Sequence, residues 1–286
     1  MHPALVRAKD FLWEVVVEWQ KDDALTLGAA LAYYTIFSIA PLLVLVIAIA
    51  GLVFGRAAAE GQLVAQIQDT IGPAGAKMIE DMIARASRPA SGIVATLVSL
   101  ATMAFGASGV FAQLQSSLTK IWEVQGKQRG AIRGQVRRHM TSATMIGGIG
   151  LLLLASLAAS AVLGLVHETL AERFPVLSVV LRLANVALSF AVITAFFALI
   201  YKLLPDVRIE WRDVALGALV TAVLFGLGRS LIGLYLGRAG VTSVYGAAGS
   251  LVLVLLWIYY SAQLLLLGAE FTEVYSRRFG SRREHP

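Results

Sequence analysis

Apolar residues in this chain gather into six long blocks separated by short charged stretches, without the two-residue alternation of a half-buried strand. Crossing bilayer hydrocarbon takes about 20 apolar helical residues, because each advances the axis by about 1.5 Å. Measured between charges, the blocks run Ala24 to Gly55, Pro89 to Thr119, Met140 to Val166, Leu183 to Tyr201, Val214 to Gly228 and Ala239 to Ala269. Only the fifth is plainly short, with 15 residues before Arg229, so its helix is expected to continue through 230–236. The expected fold is all-α, a polytopic transmembrane helical bundle. Its six spans are placed at about 24–55, 90–118, 140–166, 176–201, 213–236 and 240–269.

The segments between the blocks are small. Residues 1–23 read as an interfacial amphipathic helix, with Phe11, Leu12, Val15, Val16 and Trp19 on one side and Asp10, Glu14 and Glu18 largely on the other. Residues 56–88 read as a periplasmic loop of two short amphipathic helices broken at Gly72-Pro73. Residues 120–139 form a basic loop and 270–286 a basic tail.

Orientation follows from the Lys/Arg bias of these segments. With the N-terminus and C-terminus both cytoplasmic, 16 basic residues lie inside and 8 outside. The loop 120–139 decides most of this, with six basic residues against the single Glu123. Trp13, Trp19, Trp122 and Trp211 then fall near cytoplasmic span ends, the level where amphipathic rings collect.

Composition agrees. The 286 residues are 58% hydrophobic with a mean hydropathy of +0.75, above the apolar share of soluble domains. No cysteine is present, which removes disulfides, thiol nucleophiles and Cys-ligated metal centres. Asp10, Glu14, Asp22 and Asp23 precede a first apolar run longer than a signal h-region, so the N-terminus is not expected to be cleaved.

Two stretches carry a resemblance. Residues 29–51 read AALAYYTIFSIAPLLVLVIAIAG and residues 245–271 read YGAAGSLVLVLLWIYYSAQLLLLGAEF. Tyr33, Tyr34, Ser38 and Pro41 in the first, and Tyr245, Gly246, Trp257, Gly268, Ala269 and Glu270 in the second, match the pattern of the YihY/BrkB family. The chain resembles these bacterial inner-membrane proteins over nearly its whole length. The resemblance implies six spans in the inner (plasma) membrane and a loose link to the cell envelope or virulence. Some members once carried the name ribonuclease BN.

That label meets no matching chemistry here. A metal-dependent nuclease needs clustered His/Asp/Glu ligands, whereas His2, His139, His167 and His285 are all distant from one another in sequence. No catalytic residue, metal ligand or cofactor is therefore expected, and nucleic acid is not an expected partner. There is also no GxxxxGK[ST] motif, so any transport would be passive, ion-coupled or driven by a partner.

The candidate substrate or cavity residues lie inside the apolar blocks: Arg229, Tyr33, Tyr34, Ser38, Pro41, Tyr245, Gln263 and Glu270. Pro41 bends a helix and frees a carbonyl that Thr35 or Ser38 can re-satisfy, which reads either as a cavity-opening bend or as a packing kink. Arg229 is placed in the outer half of the membrane, either lining a cavity or snorkelling to the surface. Arg129, Arg133, Arg137 and Arg138 are the expected contacts for anionic lipid headgroups on the cytoplasmic face. The leading functional expectation is a transporter or exporter of an envelope-related amphipathic or anionic compound; the alternative is a non-catalytic membrane scaffold for envelope biogenesis, with a membrane-embedded enzyme ranked third.

The orientation is testable because no native cysteine needs removal. A lone cysteine at Gln68 or Gly75 should react with an impermeant thiol reagent in intact cells, and one at Gly130 only after the inner membrane is opened. Labelling of Gly130→Cys from outside would reverse the assignment.

Overall fold

A computed structural model describes residues 3–86, 109–122, 148, 175–205, 207, 209–238 and 248–283. Regular structure among them is helical: α1 (Pro3–Lys21), α2 (Ala24–Phe54), α3 (Arg56–Ala86), α4 (109–121), α5 (Pro175–Leu203), α6 (Trp211–Arg238) and α7 (Gly249–Arg278). Four of these are long and apolar enough to cross a membrane, over Ala24–Leu52, Val179–Leu203, Trp211–Ile232 and Gly249–Arg278. The third expected span, most of the second and the loop beyond Trp122 lie outside the described residues.

Short links set the path. Asp23 takes the left-handed conformation at φ 56° between α1 and α2, a region that Asp tolerates better than most residues. Its carboxylate accepts the Thr26 hydroxyl at 3.0 Å. Gly55 alone joins α2 to α3 at φ 82°, where a side chain would be strained, and turns α3 back beside α2. Gly72 then breaks α3 at φ 81°, and Pro73 opens the next helical piece, where its missing N–H is harmless. Helix α2 runs unbroken through Pro41.

We call the end where α1, the start of α2 and the finish of α7 meet the proximal end, and the end holding Gly55 the distal end. Helix α2 packs along α3 and α7, α6 packs between α5 and α7, and α1 lies against α7. The α6–α7 seam is set by glycines. A Cβ on Gly217 would collide with Thr272, one on Gly268 with Thr221, and one on Gly228 with Tyr260 and Leu264. Apolar side chains gain little by leaving lipid for protein, so close backbone approach and its dispersion energy hold such a seam. Tyr201 of α5 ties in by donating to the Leu265 carbonyl at 2.7 Å, with its hydroxyl oxygen 3.1 Å from that of Thr221. Phe197, Tyr201 and Phe225 pack beside this junction, and Phe225 meets Trp257 edge-on at 6.2 Å.

This register corrects one expectation. Gly228 faces Tyr260 and Leu264, while Gln263 and Tyr259 lie over Gly28 near the start of α2. Arg229 is therefore level with the first turns of α2, in the proximal half of the bundle, so with the N-terminus inside it would lie in the inner half of the membrane and not the outer. The start of α6 extends proximally past α2 alongside the last turns of α7, which is why a count from residue 213 puts Arg229 too deep. The helix does continue through Arg229, to Arg238.

The described part of the segment 56–88, helix α3, has the expected break at Gly72-Pro73 and packs against the spans. Ile71, Ile79 and Ile83 are buried in one cluster with Ala32 and Ile47 of α2 and Leu253, Val254 and Ile258 of α7. Gly75 is buried against Leu253, so Gly75→Cys would not label as an exposed position, and only Gln68, which is exposed, keeps that use.

The seam yields a prediction. Gly217→Leu forces a side chain into the space of Thr272 and should destabilise by about 1–3 kcal/mol or more. Gly226→Leu, on the same helix with nothing within 4 Å of its added carbon, should be nearly neutral. Thermal midpoints of both variants in one mild detergent decide it; equal midpoints would contradict the seam.

Candidate functional site: the proximal polar junction

Helix α1 docks through residues four apart. Phe11 meets Phe271 edge-on at 5.2 Å, Val15 is buried, and Trp19 packs on the core. Leu12, Trp13, Val16 and Val17 remain exposed, so the apolar side expected of this helix is divided between protein and surroundings. Its acidic side meets the end of α7. Arg277 contacts Glu14 at 2.8 Å and Glu18 at 3.5 Å, and Arg278 also pairs with Glu14.

Deeper groups continue the network. Glu273 is buried and lies 3.7 Å from both Arg277 and Arg282. Arg282 sits over the fully buried Trp122 ring, 5.7 Å from its centre. Lys120 of α4 donates to the Asp22 carbonyl. Buried Asp213, in the first turn of α6, accepts the Ser281 N–H and hydroxyl at 2.7 Å each, which pins the turn after α7. Gly280 is needed there because a Cβ would strike the Asp213 carboxylate.

Two expected site residues belong to this junction. Gln263 reaches across Gly28 and donates to the Ala24 carbonyl at 3.2 Å. Glu270 is 1% exposed, and its carboxyl lies against Asp22, near Glu273 and Glu18. One of its oxygens has no hydrogen-bond partner among the described residues. The sequence pattern marked Glu270 as a candidate cavity residue and missed Asp22, Glu273 and Asp213, whose partners come from helices far away in the chain.

The other candidates lie elsewhere. Tyr33 and Tyr34 are exposed, and Tyr33 also lies 5.0 Å from exposed Phe37, an aromatic stripe on α2. Ser38 is buried, and a side chain on Gly109 of α4 would touch both Tyr34 and Ser38. Thr35 donates to the Leu31 carbonyl at 2.6 Å, so it does not serve the Phe37 carbonyl that Pro41 leaves. Arg229 is exposed on α6 between exposed Leu227 and Leu231. Tyr245, Arg129, Arg133, Arg137 and Arg138 lie outside the described residues. No group of three His, Cys, Asp or Glu suited to a metal occurs among the described residues.

Long apolar helices joined by a seam of small residues define a polytopic α-helical membrane protein. The comparisons then name its family. The model of the virulence factor BrkB family matches residues 15–286, so the chain belongs to that family. Relatives include UPF0761 membrane proteins of Alkalilimnicola ehrlichii (26% identical over 93% of this chain and 58% of that protein) and Pseudomonas paraeruginosa (27%, 93% and 62%). Another, from Stenotrophomonas maltophilia, is 28% identical over 92% of this chain and 59% of its own. The chain thus spans about three-fifths of the length of these relatives. No solved structure matches it.

The junction predicts an acid-sensitive stability, partly local to α1 through Lys21 and partly across to α7 through Arg277. The hydrogen bond from Lys21 holds the Glu18 carboxyl below its usual value, helped by the charges of Lys21 and Arg277 and opposed by burial. A lowered folded-state value means the contribution is present above the ordinary carboxylate range and is lost as pH falls through the folded value. Glu18→Gln should therefore reduce the loss of thermal midpoint between neutral and strongly acidic pH in detergent. An unchanged pH profile would remove the Glu18 carboxylate from the stability of the junction.

Proposed function

We propose that this protein is a transporter or exporter of the bacterial inner membrane, moving or flipping an amphipathic, anionic envelope component. Both termini are cytoplasmic in this reading, which makes the proximal end the cytoplasmic one. Arg229 carries the proposal. It stands exposed in a continuous apolar helix, level with the first turns of α2. A cation there lies nearer the proximal surface than the bilayer centre, so it costs less than the about 2.5–3.5 kcal/mol of a central arginine on insertion scales, and ionisable residues within spans mark substrate or ion pathways. Its planar fork suits a phosphate or carboxylate. The basic residues Arg129, Arg133, Arg137 and Arg138 would gather anionic headgroups at the same face.

A non-catalytic membrane scaffold is the second reading. The observation favouring it is the exposed apolar face of α5 at Val179, Val180, Leu183 and Val186, which a partner helix or lipid could cover.

Complementation separates the two. At matched membrane abundance, Arg229→Leu should insert normally yet abolish the phenotype that the wild-type gene restores, and Arg229→Lys should restore it in part. Full activity of Arg229→Leu would remove the residue from the mechanism and leave the scaffold reading ahead. Native mass spectrometry in gentle detergent should show a retained anionic lipid that is weakened when the four loop arginines become Gln.

A further inference from the structure

The second half of α3, residues 73–86, has two unlike faces. Gly75, Ala76, Ile79 and Ile83 are buried, while Lys77, Glu80, Asp81 and Arg85 are exposed. The buried face fixes the depth of this helix. Gly75 touches Leu253, the fifth residue of α7. Helices α2 and α7 run antiparallel, since Gly28 faces Tyr259 and Gln263 while Ile36, Ile39 and Leu43 share a cluster with Leu253 and Val254. Leu253 is thus level with residues near Ile36, about 12 residues or about 18 Å along α2 from its start. That is close to the middle of the apolar run Ala24–Leu52. Ile83, fully buried in the same cluster, lies beyond Gly75 along the helix.

A helix at this depth cannot show four charged side chains to lipid tails. Charged groups within the membrane are tolerated where they face protein or a water-filled cavity. We propose that α3 is a re-entrant arm, and that Lys77, Glu80, Asp81 and Arg85 line a water-filled vestibule that opens on the distal side and reaches the middle of the membrane. Two cations and two anions wet this wall without setting up a field of one sign, which suits an amphipathic solute better than a selected ion. Such a vestibule is one half of an access pathway, so it deepens the transport reading and rests on it for its purpose. Its test reads water access and not transport, so either can fail alone.

Single cysteines in this cysteine-free chain test it in right-side-out membranes. Gly61→Cys, at an exposed position with open space around it, is the distal reference. A small charged thiosulfonate should modify Gly61→Cys, Glu80→Cys and Arg85→Cys from the same side and leave Ile83→Cys unmodified. A bulky polymer-linked maleimide should modify Gly61→Cys and lose reaction with Glu80→Cys and Arg85→Cys. The pair Gly75→Cys/Leu253→Cys should form a disulfide on mild oxidation, confirming the depth. Failure of the small reagent at both charged positions would mean that the face is dry and overturn the vestibule. Equal reaction of the bulky reagent at all three would make α3 a surface element, and absence of the disulfide would put it elsewhere. Either result also overturns the proposal.

Discussion

The α6–α7 seam is the constraint on which the remaining described packing depends. Gly217 admits Thr272, and Gly268 admits Thr221, so each helix supplies both the small residue and the one that fills it. A bilayer gives little hydrophobic reward for pairing two apolar helices, and contact distance therefore decides stability. Thr221 and Thr272 also return their hydroxyls to carbonyls one turn back, at 2.7 and 2.6 Å, so neither hydroxyl is left open in the seam. With α7 held at this register, Gln263 falls opposite the first turn of α2 and Glu270 opposite Asp22.

The proximal junction follows from that placement. Its ion pairs are partly exposed, and such pairs contribute about 0–1 kcal/mol each. Their role is to select a geometry rather than to supply stability. Close packing around the buried Trp122, Tyr201 and Leu266 provides the larger share through dispersion contacts, and the charges decide which face of α1 turns inward. Glu14 and Glu18 turn toward Arg277, and the same rotation leaves Trp13 and Leu12 outward.

Much of the helical layout was legible in the sequence because length and punctuation are local properties. The apolar blocks of α2, α5 and α7 announce themselves, and Gly72-Pro73 marks the break in α3 through a missing side chain followed by a missing N–H. What was not legible is register. The amphipathic period of 73–86 shows that Ile79 and Ile83 share a face, but it does not say whether that face meets headgroups or the flank of two spans. Arg229 was misplaced for the same reason: its level depends on Gly228 meeting Tyr260, a contact between helices whose offset no local pattern records. Glu270 stood out as an acid near a span end, while its neighbour Asp22 lies 248 positions earlier in the chain and carried no signal of the pairing.

The two ends of the bundle differ in kind, and the difference bears on function. At the proximal end, side chains from α1, α2, α4, α6 and α7 interlock, with Trp122 sealed beneath Arg282 and Asp213 fastening the turn at Ser281. Toward the distal end, α2 is flanked by an arm that carries charge on its outer face. Helices α2 and α7 remain in direct contact there, within the same buried cluster as α3. Exposed ion pairs are the weakest members of the proximal junction, whereas the Gly–Thr seam of α6 and α7 cannot open without losing many dispersion contacts together. Any movement that changes access should therefore carry α6 and α7 as one body, with α2 and α3 shifting against them across the contact of Gln263 with Gly28.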